Sequence, residues 1–138
     1  MAEQENKENL RRFYEDVMVA GKLDLLEELA QSDTVDHTFG FQGLEATRQF
    51  LETVRTAFPD MEVDVHEIVA DGDSVAVRVT YRGTHSAEFM GMPATNRKVE
   101  VDGVDFLHMR DGKQAEHWGG PDMAGLMRQL SAGDTNSR

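Results

Sequence analysis

The chain has 138 residues, of which 26 are acidic and 14 are basic, so its formal net charge at neutral pH is −12. This length predicts one domain, spanning 1–138, that is large enough to bury a core and a small-molecule cavity. The strong negative charge argues against nucleic acid or an anionic membrane as a partner and favours a neutral or apolar ligand. Cysteine is absent, which excludes disulfides, thiolate nucleophiles and cysteine-ligated zinc.

The N-terminus is polar and lacks the apolar run of a signal peptide, and no segment approaches the ~20 apolar residues of a membrane span. We therefore expect a cytoplasmic protein with no membrane partner. Residues 1–6 and the polar tail at 131–138 are expected to be frayed.

Two helices are predicted at the start of the chain. The first carries apolar residues at helical spacing, namely Leu10, Phe13, Tyr14 and Val17. It ends before Gly21, and a second short helix follows with Leu25, Leu26 and Leu29 buried. Tyr14 is either a core residue with its hydroxyl at the rim or a contact to a ligand.

The segment 34–43 has neither a clear helical nor a clear strand period and is predicted to be a loop. It contains one His, two Phe and two Gly. A loop this apolar fits over a cavity better than in water, which makes His37 and Phe41 candidate site residues. The alternative for His37 is a packing role with a hydrogen bond to the backbone.

A third helix is predicted from about Leu44 to Phe58, closed by Pro59. The hydrophobic period then changes from 3.6 to 2, which predicts about four antiparallel strands ending in a hairpin. Between two of them, the segment 87–95 is rich in Met and contains Phe89. It is either plastic packing or a lid over an apolar ligand.

Asp111-Gly112 predicts the tight turn of that hairpin, because both residue types tolerate a positive φ. Counting back from a tight turn places Phe106 opposite His117 and Asp105 opposite Trp118. The residues then predicted to share the face of His117 are Val104, Phe106, His108 and Ala115. Asp105 and Trp118 are predicted on the opposite face.

A Gly-Gly-Pro break at 119–121 follows the last strand, and a short C-terminal helix begins next. Its apolar stripe consists of Met123, Leu126, Met127 and Leu130. Asp122 stands at its start, where a carboxylate ordinarily caps free N–H groups. Helices and strands segregated in this way predict an α+β fold, with helices packed on one side of a curved sheet.

Seven short motifs follow one another in an order that resembles the SnoaL-like polyketide cyclases. They are Leu10-Arg11-Arg12-Phe13-Tyr14-Glu15, Val35-Asp36-His37, Ala57-Phe58-Pro59-Asp60, Arg82-Gly83-Thr84-His85, Phe89-Met90-Gly91-Met92-Pro93, Asp111-Gly112-Lys113 and Glu116-His117-Trp118. This family belongs to the ketosteroid-isomerase-like superfamily, which shares the nuclear transport factor 2 fold. The resemblance covers about residues 7 to 130.

The resemblance implies a cone-shaped, curved antiparallel sheet wrapped around N-terminal helices, with a deep apolar pocket and a homodimer or higher homo-oligomer. It also implies a cofactor-independent, metal-free enzyme that closes a ring of a polyketide by intramolecular aldol condensation. The acid/base group of the family corresponds to Asp122, and an assisting histidine corresponds to His108. An Asp105 that pointed inward would be an alternative acid.

The predicted catalytic residues are thus Asp122, His108, His117 and His37. The predicted substrate-binding residues are Tyr14, Phe41, Phe89, Asp105, Phe106 and Trp118. No metal site is expected, since no His-Glu-x-x-His motif or tight His/Asp cluster occurs. No nucleotide cofactor is expected either, since Gly-x-Gly-x-x-Gly and P-loop motifs are absent.

Two other functions remain open at this point. One is a hydroxylase or epoxide-opening enzyme of the same fold, in which Arg78 and Asp105 would surround a water molecule. The other is a non-catalytic small-molecule-binding module, in which Asp122 is only a helix cap.

Overall fold

The computed structural model describes the backbone of residues 2–136 and the side chains of residues 2–131. The helices are α1 (Ala2–Arg12), continued by a π-helical segment (Phe13–Val19), α2 (Leu26–Leu29) after a 3-10 turn (Leu23–Leu25), α3 (Leu44–Ala57) and α4 (Met123–Asn136). The strands are β1 (Ala30–Asp36), β2 (Phe41–Gln42), β3 (Glu62–Asp71), β4 (Ser74–Thr84), β5 (Lys98–Arg110) and β6 (Lys113–Pro121).

The six strands form one curved sheet in the order β2-β1-β6-β5-β4-β3, and the N-terminal helices pack on it. The predicted α+β class is therefore confirmed. Neighbouring strands are antiparallel except β1 and β6, which are parallel. Among residues 2–136, no helix has both the length and the hydropathy that crossing a membrane requires.

Both ends of the described part of the chain are helical. Residues 2–6, predicted to be frayed, form the first turns of α1. Asn6 is almost fully buried, and its side-chain Nδ2 lies 3.3 Å from Asp73 Oδ1. At the other end α4 runs to Asn136, and the last two residues of the predicted frayed tail lie outside the described part.

The segment predicted as a loop at 34–43 contains the end of β1 and all of β2. β1 has the sequence AQSDTVD, which lacks the alternation of a half-buried strand. It is held by pairing with β6, in which Asp36 lies beside His117. A polar strand of this kind is stabilised by its neighbour rather than by its own pattern, so periodicity could not reveal it.

The hairpin between β5 and β6 has the predicted turn but not the predicted register. Asp111 and Gly112 both have positive φ, at 54° and 78°. Met109 pairs with Gln114 and His108 with Glu116, so Ala115 is an extra residue in β6. This β-bulge shifts all the pairing beyond it by one residue.

The shift moves His117 and Trp118 to the opposite faces from those predicted, whereas the residues of β5 keep their predicted grouping. His117 pairs with Leu107, and Trp118 pairs with Phe106. Asp105 therefore joins His117 on the inner face of the sheet, whereas Phe106, His108 and Trp118 lie on the outer face.

Candidate active site

The inner face of the sheet and the helices enclose an apolar cavity of about 150 Å³. Among the predicted site residues, Tyr14, Phe41, Phe89, Asp105 and His117 line it. Further polar residues line it without having been predicted, among them Asp36, Tyr81 and Gln114. The polar groups of the cavity thus stand in otherwise apolar surroundings.

A chain of two carboxylates and one imidazole lies at the wall of this cavity. His117 donates from Nδ1 to Asp36 Oδ2 at 2.8 Å and from Nε2 to Asp105 Oδ1 at 2.7 Å. The exposed fractions of the three side chains are 20% for His117, 12% for Asp36 and 5% for Asp105. Both ring nitrogens are therefore held by carboxylates away from bulk water.

The second oxygen of Asp105 accepts hydrogen bonds from two tyrosines. The Tyr14 hydroxyl donates to Asp105 Oδ2, and the Tyr81 hydroxyl donates to the same atom at 3.3 Å. Burial, and then the negative charge of Asp105, raise the pKa of each tyrosine well above 10. Both phenols therefore stay protonated and act as donors at neutral pH.

The pKa of His117 reflects a competition between burial and its two carboxylate partners. Burial alone would lower this pKa, but the hydrogen bonds and charges of Asp105 and Asp36 raise it from 6.5 to about 9. Burial likewise raises the pKa of Asp36, yet the hydrogen bonds from His117 and from the Phe39 backbone leave it below its usual value. The pair is therefore an imidazolium and a carboxylate at neutral pH.

Local backbone contacts fix Asp36 in place. Its Oδ1 accepts from the backbone N–H groups of Thr38 at 3.0 Å and Phe39 at 2.7 Å, which is the pattern of an Asx turn. The His37 N–H donates to the His117 carbonyl at 2.9 Å, continuing the parallel pairing of β1 and β6. Strand pairing and turn together direct the free oxygen of Asp36 to the imidazole.

Four of the predicted site residues lie outside the cavity, on the outer face of the sheet. They are His37, Phe106, His108 and Trp118. The His37 ring stacks on the Trp118 ring with 4.7 Å between centroids, and Glu116 accepts from His37 Nε2 and His108 Nδ1, each at 3.0 Å. The β-bulge places Trp118 on the face of Phe106 and His108, where the predicted register had placed His117 instead.

Asp122 also stands apart from the cavity. It is exposed, its Oδ1 accepts from the Gly125 N–H at 2.9 Å, and its carbonyl accepts from the Leu126 N–H. These are the contacts of a helix cap. The expected convergence of Asp122, His108 and His117 on one cavity is therefore not observed.

The pairing of Arg78 with Asp105 around a water molecule is not observed either. Arg78 is exposed and lies 3.5 Å from Glu67, whereas Asp105 is buried on the opposite face of the sheet. Within the residues whose side chains are described, no group of three or more His, Asp and Glu is arranged to hold a metal ion.

Two of the cavity residues that were not predicted have a feature in the sequence that could have indicated them. Asp36 belongs to the Val35-Asp36-His37 motif, and Tyr81 continues the alternating run Val75, Val77 and Val79. Gln114 pairs with Met109 in the register of the Asp111-Gly112 turn, but no motif indicated a functional role for it.

A curved sheet closed by helices over an apolar cavity, with buried acid and imidazole groups at its wall, defines a small-molecule-binding protein of the nuclear transport factor 2 type. The sequence matches the model of the SnoaL-like polyketide cyclases over residues 8–130. The chain therefore belongs to this family.

Characterised relatives and a solved structure agree with this assignment. The chain is 29% identical over 108 residues to the aklanonic acid methyl ester cyclase DauD of Streptomyces sp. (strain C5), covering 77% of this chain but only 66% of that protein. It is 29% identical over 117 residues to the nogalonic acid methyl ester cyclase of Streptomyces nogalater, covering 80% and 86%. These two relatives are named as cyclases, which supports a cyclase role.

The structure is similar to that of a candidate SnoaL-like polyketide cyclase from Jannaschia sp. CCS1. The TM-score is 0.86, the identity is 26%, and 94% of each chain is covered. The similarity thus extends over nearly the whole fold.

Proposed function

We propose that the chain is a cofactor-independent cyclase that closes a ring of a polyketide-like ketone by an intramolecular aldol reaction. Asp105 is the group that takes up and returns the proton. The observation that carries this proposal is the position of Asp105, buried at the cavity wall and bonded to His117, Tyr14 and Tyr81. Asp105 thus replaces Asp122 as the acid/base group.

The reaction needs one proton to be moved twice. A carboxylate removes a proton from a carbon next to a carbonyl, the resulting enolate attacks a second carbonyl of the same molecule, and a carbon–carbon bond forms. The alkoxide produced then takes the proton back. A methylene between two carbonyls is far more acidic than a simple ketone, so a buried carboxylate is a sufficient base.

Asp105 has the capacity for this role. A carboxylate offers about four acceptor positions, and the contacts of Asp105 occupy three, with one on Oδ1 and two on Oδ2. The remaining position on Oδ1 is available to the substrate proton. Because the site is apolar, the charges around it act at low dielectric and are strong.

His117 and Asp36 support the charge that develops during the reaction. The imidazolium of His117 lies beside Asp105 and stabilises a negative enolate or alkoxide formed next to it. Asp36 keeps that ring protonated and correctly oriented. Tyr14 and Tyr81 are placed to move a hydrogen bond from Asp105 to a substrate oxygen when Asp105 becomes protonated.

The cavity restricts the substrate to an apolar small molecule. Its volume of about 150 Å³ is below the ~300–1,000 Å³ of typical ligand pockets. We therefore expect the reacting part of a polycyclic ketone to be enclosed and the rest to extend to the mouth. The substrates of the two relatives, aklanonic acid methyl ester and nogalonic acid methyl ester, are the first compounds to test.

The proposal is tested by two matched Asp→Asn substitutions. We expect the wild type to convert one of these esters to its ring-closed isomer. The conversion is monitored by chromatography and NMR, because substrate and product have the same mass. Asp105→Asn should lower kcat by about 10²–10⁴-fold, since the proton acceptor is removed. Asp122→Asn should leave kcat within about twofold and cost little stability, since Asn is an equally good cap.

Retained activity in Asp105→Asn together with loss in Asp122→Asn would contradict the assignment. That result would assign the proton transfer to Asp122, at the start of α4. Binding of the esters by the wild type without any turnover would favour the non-catalytic binding module.

We also propose that the partner of this chain is a second copy of itself. Four apolar or aromatic side chains lie in register across the outer face of the sheet, from β3 to β6: Val69, Ala76, Phe106 and Trp118. Val69 and Phe106 are 53% and 40% exposed. An exposed apolar band of this extent favours association.

A further inference from the structure

Gln114 is a buried polar residue that the proposed chemistry does not use. It lies in β6, is only 8% exposed and lines the cavity. Its side-chain Nε2 has no hydrogen-bond partner among the described residues. Burying an amide donor without a partner is unfavourable, and such groups are uncommon in native proteins.

The β-bulge explains why Gln114 and His117 face the same cavity. In a regular strand, residues 114 and 117 would point to opposite faces, because side chains alternate. The extra residue at Ala115 places Gln114 and His117 on the same face. Bulges commonly re-aim a side chain near a functional site.

Two other glutamines of the chain have a structural role, because their side-chain amides bond to backbone oxygens of another element. Gln31 Nε2 donates to the Arg110 carbonyl at 2.6 Å, and Gln129 Nε2 donates to the Glu100 carbonyl at 2.8 Å. Each ties two elements together through a backbone oxygen. Gln114 makes no such bond from Nε2, although it is more buried than either.

We propose that Gln114 donates its amide N–H to a carbonyl oxygen of the ligand, at the end of the cavity away from Asp105. This inference rests on the proposed function for the substrate class. Three residues of strand separate Gln114 from His117, a span of up to roughly 10 Å. The ligand is therefore an apolar ketone that carries a second acceptor oxygen, for Gln114, besides the carbonyl that reacts at Asp105.

The test compares anthraquinone, which has carbonyl oxygens on opposite edges, with anthracene, the same skeleton without them. Dissociation constants are measured by isothermal titration calorimetry. The wild type should prefer anthraquinone, and Gln114→Met should weaken anthraquinone binding about tenfold while leaving anthracene binding unchanged. Gln49→Met, at an exposed position of α3, is the matched control and should change neither.

Two further measurements separate ligand binding from packing. Gln114→Met should keep or raise Tm, because it removes the unpaired amide, whereas a structural glutamine would lower it. Gln114→Glu retains the shape but has no N–H donor when ionised, so it should also lose the preference for anthraquinone.

The proposal is overturned if the wild type has no preference between the two probes. It is also overturned if Gln114→Met leaves that preference intact, or if both probes weaken equally. These outcomes do not depend on turnover, so they are distinguishable from a failure of Asp105 as the acid/base group. If turnover is found, Gln114→Met should raise KM more than it lowers kcat.

Discussion

His117 both connects two strands of the sheet and belongs to the proposed active site. It links Asp36 of β1 to Asp105 of β5, which are 69 positions apart in the sequence. Each carboxylate is held by further donors, so the imidazolium has two fixed partners. A charged group this deep is stable only because both partners are present.

The raised pKa of His117 makes stability depend on pH. The pKa of His117 is about 9 in the folded protein and 6.5 for a histidine outside the fold. The protonated ring therefore stabilises the folded state in full below pH 6.5. This stabilisation is lost as pH rises through 9. The difference of about 2.5 units corresponds to roughly 3 kcal/mol of unfolding free energy.

Urea unfolding measured from pH 6 to pH 9.5 checks this expectation. The free energy of unfolding should fall over that range in the wild type. His117→Gln should flatten the fall, whereas His66→Gln, at a position bonded to Thr80, should leave it in place. An equal fall in the His117 variant would show that another group is responsible.

At the scale of elements, β6 decides where the site lies. It carries the β-bulge at Ala115, pairs with β5 on one side and β1 on the other, and ends at Pro121. Near its end the chain passes very close to β5 at Gly119, where φ is 99°. This approach keeps the end of β6 beside Asp105, with which Gly119 pairs.

Gly119→Ala should therefore destabilise the protein strongly. A Cβ at this position would overlap with the Val104 carbonyl oxygen, and the positive φ adds strain. We expect a loss of at least about 2 kcal/mol in the free energy of unfolding. Gly40→Ala is the matched control, because its φ is 81° but nothing lies within 4 Å of its Cβ.

Thermal or urea unfolding of both variants provides the measurement. Gly40→Ala should show only the smaller cost of the strained backbone, about 1 kcal/mol. Equal losses in the two variants would mean that strain dominates and that the close contact with β5 is unimportant.

At the scale of the whole molecule, the two faces of the sheet have different roles. The inner face closes the cavity together with the helices, whereas the outer face carries the apolar band that includes Val69 and Phe106. Trp118 belongs to this band and is covered on one side by His37. The proposed homodimer would use the outer aromatic side chains for association rather than for catalysis.

Sedimentation velocity tests the proposed homodimer. The wild type should sediment as a dimer, and Phe106→Lys should shift it toward the monomer by placing a charge in the apolar band. Met90→Lys changes a residue that is 58% exposed in the segment between β4 and β5 and should leave the dimer intact. A monomeric wild type at micromolar concentration would contradict the proposal.

Much of this architecture follows from local patterns in the chain. Helical spacing predicted the N-terminal helices and α3, and the change to a period of 2 predicted the antiparallel strands after Pro59. Asp111-Gly112 predicted the turn between β5 and β6 correctly. Each of these features depends on a few residues that are adjacent in the sequence. Their backbone preferences and hydrophobic period are therefore sufficient to predict it.

The composition of the site depended instead on contacts between distant segments. No local pattern shows that β1 pairs in parallel with β6 and so brings Asp36 to His117, or that the chain accommodates Ala115 as a bulge. That one extra residue placed His117 on the cavity face together with Asp105 and Gln114, and Trp118 on the outer face with His108. A side chain's direction in a strand reverses with a shift of one residue, so only the folded pairing could decide which acid faces the ligand.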